Sequence, residues 1–131
     1  MGQPAAKQGD QITATDIHII LVPSPGGPVP TPTPLPFIGN IVGGVSSNVL
    51  ILGMPAATVD STAINTPPHI PAGGPFQKPP TNQGRIIMGS LTVQINGKAA
   101  ARNGDPAMTC NDPVDAPVGT VISTTATVLI G

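Results

Sequence analysis

Three stretches of this chain carry an apolar strand pattern that ends in glycine: Ser46 to Gly53, Ser90 to Gly97 and Thr124 to Gly131. Two of them run straight into a second phrase. Gly53 leads into Met54-Pro55-Ala56-Ala57-Thr58-Val59-Asp60, and Gly97 into Lys98-Ala99-Ala100-Ala101-Arg102-Asn103-Gly104-Asp105. The third strand closes the chain, and its continuation, Gly2-Gln3-Pro4-Ala5-Ala6-Lys7-Gln8-Gly9-Asp10, opens it. The sequence is therefore a circle of three units, cut within one of them. That unit is complete only if Gly131 lies beside Gly2, so the pattern predicts a closed, pseudo-threefold object.

Each unit reads as a β-hairpin. Val93-x-Ile95 alternation gives a strand with one buried face, and Asn96-Gly97 is a hairpin turn pair. The Ala-Ala segments carry small side chains, which suit close approach of backbones near an axis. Pro and Gly interrupt every window of helical length, so an all-β fold with little helix is expected. Two insertions break the repeat. Residues 23–45 contain Pro-Ser-Pro-Gly-Gly-Pro-Val-Pro-Thr-Pro-Thr-Pro-Leu-Pro-Phe, and residues 67–84 contain Pro-Pro-His-Ile-Pro-Ala-Gly-Gly-Pro-Phe. Both are expected to be extended surface loops, and a Pro-rich run is in some settings a ligand for SH3-type domains.

With 131 residues the chain is expected to form one domain, residues 1–131. Two Phe, no Trp and no Tyr leave an interior of Val, Ile, Leu and Ala. So thin a core calls for another source of stability. One Cys excludes an internal disulfide, which leaves a metal or a partner. A net charge of −1 without a basic stripe argues against nucleic acid. No run approaches the ~20 apolar residues of a membrane helix. No basic segment followed by an apolar one marks a signal peptide, so synthesis and folding in the cytoplasm are expected.

The metal-ligating residues keep step with the repeat. Asp10 is followed by His18, Asp60 by His69 and Asp105 by Cys110, which uses both His and the only Cys. A threefold closure would bring them together. Imidazole and thiolate suit zinc, with iron a weaker option, and zinc wants four ligands. The fourth is open between Asp16, Asn65, Asp112 and water. Asp10, Asp60 and Asp105 are expected to accept hydrogen bonds from backbone N–H groups of their turns. No Cys-His-Asn signature surrounds Cys110, so no catalytic residue is assigned and a metal-dependent hydrolase is a distant alternative.

Pro4-Ala5-Ala6-Lys7-x-Gly9-Asp10 and Ala99-Ala100-Ala101-Arg102-x-Gly104-Asp105 closely resemble the motif of the PAAR (Pro-Ala-Ala-Arg) repeat family, with Pro55-Ala56-Ala57 through Asp60 as a degenerate middle copy. The resemblance implies a small cone of β-hairpins that caps the trimeric valine-glycine-repeat spike of a type VI secretion system or related contractile injection machine. It also implies a structural zinc near the apex, typically on three His and one Cys. Such a tip meets the target membrane on injection and leaves the cell at the head of the apparatus. A second implied role is adaptor, recruiting an effector or chaperone. The chain departs from the family pattern in having two His, in the missing basic residue and Gly of the middle motif, and in the length of its insertions.

Overall fold

The computed structural model describes residues 2–71, 73–123 and 127–131. Thr124, Thr125 and Ala126 of the third repeated strand lie outside the described residues. The described chain is all-β, in twelve strands and without helix. Three short antiparallel strand pairs form one end: β1 (Gln3–Pro4) with β12 (Leu129–Ile130), which joins the two ends of the chain, and the hairpins β4 (Leu50–Ile51) with β5 (Met54–Pro55) and β8 (Gln94–Ile95) with β9 (Lys98–Ala99). Three longer ones close a six-stranded barrel: β2 (Gln11–Val22) with β3 (Val29–Gly43), β6 (Thr62–Asn65) with β7 (Gln83–Ile86), and β10 (Pro106–Thr109) with β11 (Ala116–Ile122).

The circle implied by the repeat is closed. β1 and β12 pair antiparallel with Gln3 opposite Ile130 and Pro4 opposite Leu129. Between the short hairpins and the barrel, the three Ala-Ala segments meet. Ala6 N–H donates to Ala101 O, Ala101 N–H to Ala57 O and Ala57 N–H to Ala6 O, each at 3.0 Å. This ring of backbone bonds has no free member, and all six alanines of the layer (Ala5, Ala6, Ala56, Ala57, Ala100, Ala101) are fully buried. A side chain longer than methyl would hold the strands too far apart to bond. Ile51, Ile95 and Ile130 pack beneath the alanines on the side of the short hairpins, while Ile12, Ile41, Ile86 and Val121 fill the barrel above them.

The one large plug in that barrel is Phe37, the largest fully buried side chain. It fits because Gly39 faces it: a Cβ there would come within 2.7 Å of the ring. Two Phe in the chain therefore suffice, with one centred in the core and the other, Phe76, held beside β2 through a bridge to Ile20.

The proline-rich stretch is not the loop expected from residues 23–45. Residues 29–43 form β3, whose twelve-position ladder with β2 runs from Gln11↔Asn40 to Val22↔Val29. The physical reason is parity. Ile38 turns its N–H and C=O away from β2, to Asn65 Oδ1 (2.9 Å) and Thr66 N–H (3.0 Å). Pro30, Pro32, Pro34 and Pro36 share that parity, so each missing N–H falls on the open edge while the intervening residues bond to β2. The edge is thereby blunted against pairing with another chain. Of the second insertion, residues 67–84, the last two belong to β7; its other described residues form no named strand, and part of them lies along β2, with Leu21 N–H to Pro75 O and Gln77 N–H to Ile19 O, both at 2.8 Å.

The turns between the alanine layer and the barrel hold one register change. Lys7 N–H donates to Asp10 Oδ2 (3.0 Å) and Arg102 N–H to Asp105 Oδ2 (2.7 Å). In the middle unit Thr58 N–H donates instead to Ser61 Oγ (2.9 Å). Asp60, expected to be this acceptor, occupies the place of Gly9 and Gly104. Its φ is +76°, beside +94° and +90° for the glycines. Asp tolerates that left-handed place better than most residues, so the motif keeps its geometry with both positions exchanged.

Candidate metal centre

Strand alternation in β2 turns Ile12, Asp16, His18 and Ile20 inward. Asp16 and His18 are thus neighbours on the buried face, at the end of the barrel away from the alanine layer. Cys110 follows β10 directly, and the residues after it are pinned along β2. Asn111 Oδ1 accepts the Ile17 N–H (2.8 Å), Asp112 N–H donates to Ile17 O (2.9 Å), and Asp112 Oδ2 accepts the Ile19 N–H (2.8 Å). This sets Cys110 across from His18. His69 arrives from the loop after β6, its N–H held by Asn82 Oδ1 at 2.8 Å. His18 and His69 each stand eight positions beyond the turn acceptors Asp10 and Ser61, whereas Cys110 stands five beyond Asp105. The third unit reaches the centre sooner because its residues 110–112 run alongside β2.

Asp16, His18, His69 and Cys110 are all buried, and one donor atom from each lies within 4.8 Å of every other. Cys110 Sγ is 3.6 Å from both His18 Nε2 and Asp16 Oδ2, and His69 Nε2 is 2.9 Å from Asp16 Oδ2. Zinc bonds of about 2.0–2.3 Å place tetrahedral ligand atoms about 3.3–3.7 Å apart, so the sulfur edges already match. A borderline-soft donor set of thiolate, imidazole and carboxylate also suits zinc. A second observation agrees. His18 Nδ1 is the buried side-chain nitrogen or oxygen that lacks a hydrogen-bond partner among the described residues, and it faces Asp112 Oδ2 at 3.6 Å. Ligating histidines typically present their second nitrogen to a carboxylate in this way. The residues present fit a zinc ion.

Burial dominates the electrostatics. It pushes the Cys110 thiol up to about 11, and it lowers His18, helped by the neighbouring His69 ring 4.8 Å away. A metal would have to displace the thiol proton. Cys110, His18 and Asp112 also stand in the order of a nucleophile, base and orienting carboxylate. At 2% exposure, however, Cys110 offers no substrate a path, and a thiol near 11 is a poor nucleophile at neutral pH.

The alternatives for a fourth ligand occupy distinct places. Asp16 joins the cluster, Asp112 stands behind His18, and Asn65 stands behind His69 with its Nδ2 at 3.3 Å from Nδ1. Sequence reading missed the supports of Asp16: Thr109 Oγ1 donates to its Oδ1, as does Asn111 Nδ2 at 3.2 Å. Their signal was present as polar residues flanking Cys110 in Thr109-Cys110-Asn111. The motif residues Pro4, Lys7, Asp10, Pro55, Ala99, Arg102 and Asp105 lie at the alanine layer and its turns, away from the cluster; Arg102 and Asp105 pair side to side at 2.9 Å.

A family model described as PAAR motif matches residues 22–114 and 76–131, which together cover most of the chain. No curated protein matches it.

Proposed function

The chain belongs to the PAAR-motif family, and on that premise we propose that it is the tip of a contractile injection machine, seated on a trimeric valine-glycine-repeat spike. The observation that carries the reading is the closed pseudo-threefold ring at the alanine layer, with three corresponding two-stranded pairs on one side of it. A monomer with that symmetry can present one face to each subunit of a trimer. The hairpin end is also apolar where it meets solvent: Leu50, Leu52 and Leu129 are more than half exposed. Such surface is expected to be covered by a partner.

One residue there supports docking independently. Leu52 adopts φ +51° in the two-residue turn between β4 and β5, the place that Asn96 takes at +54° in the turn between β8 and β9. Leucine is strained in this region, and strain of this kind gathers at functional positions. The zinc-type centre stiffens the opposite end, where β2 and β3 project beyond the barrel. Assembly takes place in the cytoplasm, and the chain leaves with the spike. Co-expression with a trimeric spike protein tests the reading: the two should co-purify, and Leu50→Asp with Leu52→Asp should abolish the complex while the isolated chain stays folded. Failure of the unmodified chain to co-purify would refute it.

A further inference from the structure

We infer that His69 serves the metal centre as a hydrogen-bond donor to Asp16, and that the protein offers an ion three atoms: Asp16 Oδ2, His18 Nε2 and Cys110 Sγ. The inference rests on the cluster being a metal site, as proposed above, and concerns what each residue does there.

The orientation of two side-chain amides decides it. Asn65 Oδ1 accepts the Ile38 backbone N–H at 2.9 Å, which fixes which end of that amide is oxygen. Asn82 Oδ1 accepts the His69 backbone N–H at 2.8 Å, which fixes the second amide. Backbone N–H groups can only donate, so neither amide can turn over without burying two donors, or two acceptors, against each other. Asn65 Nδ2 therefore carries both of its hydrogens toward Asn82 Oδ1 (3.2 Å) and His69 Nδ1 (3.3 Å). His69 Nδ1 is thus an acceptor. In a neutral imidazole the proton then sits on Nε2, which stands 2.9 Å from Asp16 Oδ2 and donates to it. A nitrogen that carries a proton has no lone pair for a metal.

His18 is arranged the other way. Its Nδ1 faces a carboxylate, so the proton belongs there and Nε2 is left with its lone pair toward Cys110 Sγ. The two histidines hold opposite tautomers because one is backed by an amide donor and the other by an acid. Asp16 is then held by three donors, from Thr109, Asn111 and His69. Three protein atoms leave one of zinc's four positions to a non-protein ligand.

Zinc-edge X-ray absorption on the zinc-loaded wild-type chain counts the bound imidazoles, and long-range proton–nitrogen NMR reads which nitrogen of His69 carries the proton. One imidazole and a protonated His69 Nε2 are expected. His69→Gln, which keeps a donor in reach of Asp16, should still bind one zinc with affinity lowered about 10–100-fold. Asn65→Asp puts an acceptor beside Nδ1, and should turn the His69 tautomer over and bring in a second imidazole. Two imidazoles in the wild-type chain, or a deprotonated Nε2, would overturn the assignment while leaving the metal site standing. A wild-type chain that takes up no zinc would overturn both.

Discussion

Replacing Leu52 by Asn should make the isolated chain more stable and the spike complex weaker. Leu52 sits at φ +51° in a turn whose other member, Gly53, is at +82°, and the equivalent turn uses Asn96-Gly97 at +54° and +82°. A left-handed conformation costs an ordinary L-residue roughly 1–2 kcal/mol, and Asn recovers much of it. The change should therefore stabilise by about 1 kcal/mol, or about 3–4 °C in Tm for a domain of this size. Docking moves the other way. Burying a whole leucine side chain is worth about 1.5–3 kcal/mol. With 61% of Leu52 still exposed, a partner can recover about 1–2 kcal/mol, a factor of roughly 5–30 in Kd. Thermal unfolding of the free chain and titration calorimetry against the trimeric spike read the two effects separately. A lower Tm would refute the strain argument, and an unchanged Kd would remove Leu52 from the interface.

Three further perturbations follow from the packing and the centre. Phe37→Ala should cost about 3–5 kcal/mol in denaturant unfolding, because Gly39 and Gly84 leave nothing that can collapse into the ring's space; a loss below about 1 kcal/mol would show that the barrel repacks. Chelating the metal should lower stability, and zinc restored at a hundredfold excess over its Kd should return about 2.7 kcal/mol in calorimetric unfolding. In the metal-free chain, the Cys110 thiol is raised from 9.0 to about 11. The unfolded chain then releases its proton first, and stability should be full below about pH 9 and fall from there to about pH 11. Flat stability across that window, followed by denaturant titration, would mean that the thiol is hydrated.

The repeat made the closure, the alanine layer and the meeting of His18, His69 and Cys110 readable, because each follows from three copies of one pattern around one axis; it left the fourth member open among Asp16, Asn65, Asp112 and water, and the fold brings in Asp16. What it hid were departures from that pattern. Counting from Asp60 misplaced the middle turn by one residue, since Ser61 Oγ supplies the same acceptor as an Asp carboxylate and Asp60 supplies the conformation of a glycine. The prolines of β3 read as a loop because composition carries no parity. Only the spacing of two between Pro30, Pro32, Pro34 and Pro36 shows that all the missing donors fall on one edge. The tautomers of the two histidines were out of reach, because they are set by Asn65, Asn82 and Asp112, which the fold brings in from three separate segments.

The most direct test of a pseudo-threefold tip on a threefold spike is the mass of the intact complex. Native mass spectrometry of this chain with a trimeric spike should show one copy per trimer, since the three faces of one monomer occupy the three subunits at once. Three copies per trimer, or no complex at all, would contradict the assignment.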